Sequence, residues 1–91
     1  MDNDKELSIC AAAIDKCGIK AQIDMAIEEM SELTQALSKF KRNKPNNVEE
    51  EIADVCIMLD QLYLMFDSVQ INQIREQKLL RLEKTINDIH C

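Results

Sequence analysis

The chain has 91 residues, a formal net charge of −6, and three aromatic side chains with no Trp. That length fits a single domain over residues 1–91 with a modest core, and the acidic balance excludes a general nucleic-acid binder, which needs a basic footprint to neutralise phosphates. Yet 46% of the residues are hydrophobic, more apolar surface than a few thin helices can hide among themselves, so the composition predicts a homo-oligomer.

One Gly (Gly18) and one Pro (Pro45) punctuate the sequence, too few for the many turns of an all-β fold. A first helix is predicted from about Lys5 to Lys16, with Leu7, Ala11 and Ile14 at helical spacing. Gly18 stands just past its end, where a left-handed cap residue belongs. A second helix is expected from about Lys20 to Lys41, its apolar stripe made by Ile23, Ile27, Met30, Leu33 and Leu37. Asn43 to Asn46 reads as a turn, and Pro45 bars helix continuation. Asn47 with Glu50 three residues later resembles a capping box for a third helix carrying Ile52, Val55, Leu59, Leu62 and Phe66. Asp67 and Ser68 mark a break, with Ser68 as the expected cap of a fourth helix bearing Ile71, Ile74, Leu79, Leu82, Ile86 and Ile89. Short loops favour antiparallel neighbours. The expected fold is therefore all-α, a four-helix bundle-like protomer built around a central antiparallel helical hairpin and assembling as an oligomer.

Cys10, Cys17, Cys56 and Cys91 form no C-x-x-C pair, and His90 is the one histidine. Zinc is disfavoured, and mostly buried, reduced thiols are expected in a cytoplasmic protein. The sequence opens on no basic-then-apolar leader and contains no apolar run long enough to span a bilayer, so no membrane association is expected.

The informative feature is a duplicated acidic pattern. Glu29 and Glu32 on the second helix, and Glu51 and Asp54 on the third, are the carboxylate pairs of the chain spaced at i, i+3. That spacing puts each pair on one helix face. At roughly 1.5 Å rise per residue, the two pairs fall within about a turn of each other across an antiparallel hairpin. Four clustered carboxylates repel one another and resist losing water, so a cation, bound protons or splayed helices must relieve them. All-oxygen ligation suits Mg²⁺, Mn²⁺ or Ca²⁺. A shallow helix-face site favours Mg²⁺, which keeps waters and shares its coordination with phosphates. The EF-hand pattern is absent, and so are the Glu-x-x-His motifs of di-iron bundles. Ordinary solvated charge is the competing explanation for either pair alone, and the pairing across two helices favours the metal.

The arrangement Glu28-Glu29-x-x-Glu32, a linker, then Glu50-Glu51-x-x-Asp54 resembles the MazG-like all-α nucleoside triphosphate pyrophosphohydrolases and the related dimeric dUTPases. Gln22, Met25-Ala26-Ile27 and Ile52-Ala53-Asp54-Val55 extend the similarity, which covers roughly Gly18 to Tyr63 and weakens through Lys78 and Arg81. The resemblance implies Mg²⁺, with Mn²⁺ as a substitute, held by Glu29, Glu32, Glu51 and Asp54. It implies hydrolysis of a nucleoside triphosphate to the monophosphate and pyrophosphate, with Glu32 as the proton acceptor. It also implies a homodimer or homotetramer, although the chain is short for the family. Lys78 and Arg81 would meet phosphate oxygens. Gln22, on the second-helix face near Glu29, reads equally as a base or ribose contact and as a surface residue.

Other features have plainer readings. Lys39, Lys41, Arg42 and Lys44 suit the negative end of the second helix, with capture of a triphosphate tail as the alternative. Arg75, Lys78, Arg81 and Lys84, interleaved with Glu76 and Glu83, read as a solvated face. Tyr63 and Phe66 are expected in the core rather than stacked on a base. Met25, Met30, Met58 and Met65 read as adaptable filler of core or interface. Two non-enzymatic classes compete with hydrolysis: an acidic helical adaptor that oligomerises, and a metal-gated module that binds nucleotide without turnover.

Overall fold

The computed structural model of the chain describes residues 1–88 as four helices, α1 (Asn3–Cys17), α2 (Ile19–Lys41), α3 (Val48–Met65) and α4 (Ser68–Asp88). Ile89, His90 and Cys91 lie outside the described residues. The all-α expectation holds. No described helix is long and apolar enough to cross a membrane.

Each boundary has a local cause. Asp2 caps α1, its carboxylate accepting from the Lys5 N–H at 2.8 Å. Gly18 ends α1 and starts α2: its N–H donates to the Ile14 carbonyl at 2.8 Å and its own carbonyl accepts from the Gln22 N–H at 3.1 Å. It does so at φ 96°, ψ 154°, a region open essentially to glycine alone and different from the left-handed helical cap expected. α2 closes through Arg42, whose N–H bonds the Ser38 and Lys39 carbonyls, and through Asn43 at φ 56°. α4 is capped by Asp67, not by Ser68: Asp67 Oδ1 accepts from the Gln70 N–H at 3.1 Å, and Ser68 is already helical. The carboxylate is the stronger acceptor and stands one residue earlier.

α2 and α3 form the central hairpin, and α1 packs on both. Gln22 pairs with Gln61 while Glu29 meets Asp54; numbers rise on one helix as they fall on the other, so the hairpin is antiparallel as expected. The seam between them differs from the expected one. It buries Gln22, Ala26 and Ala36 of α2 against Glu51, Val55, Met58 and Gln61 of α3. Of the predicted stripes, Val55 is buried in the seam and Ile23, Leu33 and Leu62 are half-buried, whereas Ile27, Met30 and Leu37 on α2, and Ile52, Leu59 and Phe66 on α3, are exposed. Small alanines let the helices approach closely, and the Gln22 amide donates to Gln61 at 2.7 Å inside the seam, which satisfies two groups that would be costly to bury alone. Glutamine is hydrophilic in composition yet sits here at the register-fixing position.

α4 touches α3 alone and buries no residue. The radius of gyration is 16.2 Å, against about 12 Å for a compact chain of this length. The expectation of mostly buried thiols is corrected: Cys10 is buried, whereas Cys17 and Cys56 are exposed, because Cys17 ends α1 and Cys56 lies on the open flank of α3 rather than in the seam. Burial, with Asp60 and Glu6 nearby, pushes the Cys10 thiol up from its ordinary range and keeps it protonated. Phe66 likewise caps α3 in the open rather than filling the core, and α1 buries Cys10 while Leu7 and Ala11 of its predicted stripe stay exposed.

A Cβ on Gly18 would meet no atom within 4 Å, so substitution there tests backbone strain alone. Gly18→Ala is expected to lower unfolding free energy by about 1–3 kcal/mol; an unchanged urea midpoint would show that the α1–α2 junction relaxes freely.

Candidate metal centre

The seam carries the carboxylates inward. Glu29 on α2 and Glu51 and Asp54 on α3 each offer an oxygen, and the three oxygens lie within 4.8 Å of one another. Opposed oxygens on one divalent ion at 2.0–2.6 Å stand roughly 4–5 Å apart, so the group is of the size an ion can bridge. Glu51 is 7% exposed; Glu29 and Asp54 are half-buried. Glu29 Oε2 and Glu51 Oε2 are buried with no hydrogen-bond partner. A buried anionic oxygen without a donor is expensive, and a proton or a bound cation would relieve it.

Electrostatics agree with geometry. Burial first, then the charges of Glu32, Asp54, Glu51 and Glu28, push the Glu29 carboxyl above its ordinary range. Burial and Glu32 do the same to Glu51, with Asp54 and Glu50 adding to the rise and a hydrogen bond from Asn47 opposing it. The charges that raise these two groups are all carboxylates. Glu32 stands outside the tight trio but close enough to repel both Glu29 and Glu51. Glu28 and Glu50 are exposed.

Asn47 departs from the capping-box expectation. Its side chain accepts no bond from the α3 N-terminus. Its Nδ2 donates to Glu51 Oε1 at 2.9 Å and to Glu50 Oε2 at 3.2 Å, while Asn46 Oδ1 takes the Val48 N–H at 3.2 Å. Two adjacent carboxylates draw the amide's donor end toward them. One oxygen of Glu51 is thereby fixed and the other left free. The sequence marks Asn47 only as a cap; its offset of four from Glu51, the same helix face, is the signal that pointed to this contact.

The remaining expected site residues lie elsewhere in the protomer. Gln22 is buried in the seam and bonded to Gln61. Lys78 and Arg81 are on α4, which touches only α3, and neither is among the charges acting on Glu29 or Glu51. Compared with known family models, curated proteins and solved structures, the chain finds no match.

Because Glu29 and Glu51 titrate above the ordinary carboxylate range when folded, the folded chain holds more protons than the unfolded chain between the ordinary and the raised values. Metal-free stability therefore falls as pH rises through that window and is lowest above it. Added Mg²⁺ should flatten that fall, and Glu51→Gln should raise the metal-free thermal midpoint at neutral pH while removing the response to Mg²⁺. Melting curves across pH check this; a midpoint indifferent to both Mg²⁺ and Glu51→Gln would show that the carboxylates are relaxed in water.

Proposed function

We propose that the chain is a Mg²⁺-dependent nucleoside triphosphate pyrophosphohydrolase, working as a homodimer or homotetramer in a reducing cytoplasm. The observation that carries this reading is the convergence of Glu29, Glu51 and Asp54 from two helices within 4.8 Å, with two buried oxygens lacking any donor. Hard-oxygen ligands on a helix face suit Mg²⁺, or Mn²⁺ in its place, shared with phosphate oxygens. The similarity of Glu28-Glu29-x-x-Glu32 and Glu50-Glu51-x-x-Asp54 to the MazG-like pattern adds the reaction class.

A bound Mg²⁺ supplies charge neutralisation for the polyphosphate and a more acidic water. The chain's own residues do the rest. Glu29, Glu51 and Asp54 present the oxygens that hold the ion, with Glu32 completing the acidic set. Glu32, half-buried beside the trio, takes the proton of the attacking water on its carboxylate. The water oxygen bonds to phosphorus as the bond to the departing pyrophosphate breaks, leaving the nucleoside monophosphate. Lys78 and Arg81 are the proposed substrate contacts; Gln22, expected to meet a base or ribose, is instead buried and bonded to Gln61. Since Lys78 and Arg81 are not brought to the carboxylates within one protomer, their role requires a neighbouring subunit. A second reading, a metal-gated module that binds nucleotide without turnover, uses the same carboxylates and differs in releasing no pyrophosphate.

Pyrophosphate release across a panel of nucleoside and deoxynucleoside triphosphates, with and without Mg²⁺, separates the two. Glu32→Ala and Asp54→Ala should each lower turnover at least a hundredfold with helicity retained; full activity in both, or no release from any substrate by the wild type, removes the catalytic assignment. Asn47→Ala should weaken Mn²⁺ binding by roughly 10–100-fold, as loss of a ligand-orienting partner does. Titration by electron paramagnetic resonance checks it, and unchanged affinity would leave Asn47 a mere loop residue.

A further inference from the structure

We propose that Lys39 and Lys44, at the tip of the α2–α3 hairpin, hold the pyrophosphate end of a nucleoside triphosphate whose inner phosphate meets the metal centre of the same protomer. The proposal rests on the hydrolase reading above and adds to it an anion subsite that α4 does not supply.

Charge sets the requirement. The carboxylates of Glu29, Glu32, Glu51 and Asp54 outweigh one divalent ion, and a polyphosphate is itself strongly negative. Such a ligand needs fixed cations near the ion. Lys78 and Arg81 are on α4, which touches only α3. The hairpin's own positive charge is concentrated at its tip: residues 33–48 carry Lys39, Lys41, Arg42 and Lys44 and no Asp or Glu.

Register selects two of these four. The antiparallel pairing sets Gln22 against Gln61 and Glu29 beside Asp54. Continued toward the tip, it brings Glu32 level with Glu51 and Lys39 level with Lys44. The Lys44 N–H donates to the Lys39 carbonyl at 2.9 Å, and the Lys44 carbonyl accepts from Asn46 Nδ2 at 3.1 Å, so the turn pins the two lysines side by side. Lys39 follows Glu32 by seven residues. At about 100° and 1.5 Å per residue it lies within roughly 20° of the same line, about 10 Å nearer the tip. Helical side chains lean toward the N-terminus. That turns the Lys39 stem back toward the carboxylates, past the small, buried Ala36. Lys41 follows Glu32 by nine residues and stands about half a turn round the helix. Arg42 spends its Nε on the Ser38 carbonyl at 3.3 Å.

The α2 dipole favours cations at Lys39 and Lys41 alike, but it does not explain Lys44, which lies beyond the helix and beside a like charge. Crowded carboxylates and paired ammonium groups thus lie two turns apart along one line of the hairpin. A divalent ion with its polyphosphate relieves both. When water bonds to the inner phosphorus, the bond to the bridging oxygen breaks and its electron pair leaves with pyrophosphate. Ammonium groups on the outer phosphates stabilise that charge, so the tip pair acts on departure as well as on binding.

Isothermal titration of the full chain with inorganic tripolyphosphate in Mg²⁺ tests the subsite apart from turnover. Lys39→Gln should weaken binding roughly tenfold, Lys39→Gln/Lys44→Gln further, and Lys39→Arg should recover most of the loss. Lys41→Gln, which removes the same charge from the other side of the helix, should change binding by less than about threefold. Mn²⁺ affinity without the anion, read by electron paramagnetic resonance, should be no weaker in Lys39→Gln/Lys44→Gln. Equal losses in Lys39→Gln and Lys41→Gln overturn the proposal, as does a wild type that does not bind tripolyphosphate. Pyrophosphate release is read separately. A chain that hydrolyses nothing, yet loses tripolyphosphate through Lys39→Gln, removes the hydrolase reading and keeps the anion subsite. A chain that hydrolyses triphosphates with unchanged kcat and KM after Lys39→Gln/Lys44→Gln does the reverse.

Discussion

Like-charge repulsion inside the α2–α3 seam is the constraint around which the protomer is organised. Glu29, Glu51 and Asp54 bring oxygens within 4.8 Å, Glu32 adds its field, and the buried Glu51 keeps one oxygen without a donor. Protonation, splaying or a cation can relieve such a cluster. The rest of the seam resists splaying: Ala26 and Ala36 allow close helix approach, and the Gln22–Gln61 bond fixes the register two turns away from Glu29. Packing on either side of Glu29 holds the charges together. A cluster held in this way could accept a cation without rearrangement, and its cost is borne by stability.

Asn47 shows how a loop residue shapes such a site. By donating to Glu51 Oε1 and Glu50 Oε2, its amide takes one oxygen of each neighbouring carboxylate and opposes the rise that burial and Glu32 impose on Glu51. The same bonds remove Asn47 from helix capping, which Asn46 partly assumes through the Val48 N–H. A stronger local cap is given up for an oriented acid, a trade that makes sense where the acid has work beyond holding α3 in place.

Much of this was legible in the sequence. Gly18, Pro45 and the run of helical periods fix four helices and their order, and the i, i+3 acids locate the cluster, because helix spacing alone decides which side chains share a face. The seam was less legible. Hydrophobic periodicity identifies the most apolar side of a helix, and on α2 and α3 that side is the flank with Ile27, Leu37, Ile52 and Leu59, not the side that meets the neighbouring helix. Periodicity cannot distinguish burial within a chain from burial between chains. Gln22 and Gln61 were hidden for a related reason: a polar pair that satisfies itself leaves no trace in a pattern of apolar letters. Asn47 fitted a capping box in letters, but a side-chain amide beside two carboxylates is drawn to them before it serves a backbone N–H.

The two faces of the hairpin therefore divide the work. The inner seam mixes Ala26, Ala36, Val55 and Met58 with a glutamine pair and carboxylates, and it loses stability to the charges it holds. The outer flank is apolar and unused within the protomer. A short chain with a small core of its own cannot offset a strained acidic seam by internal burial, because the residues able to do so point outward. Burial of that flank between copies would supply the missing hydrophobic stabilisation while leaving the carboxylates on their own side of the hairpin. It would also let the cationic side of α4 approach an acidic surface without lengthening the chain. Were copies to meet on that flank, assembly and metal affinity would be linked: the added burial would reinforce the seam's own packing against splaying, and losing it would ease the separation of Glu29, Glu51 and Asp54 toward water.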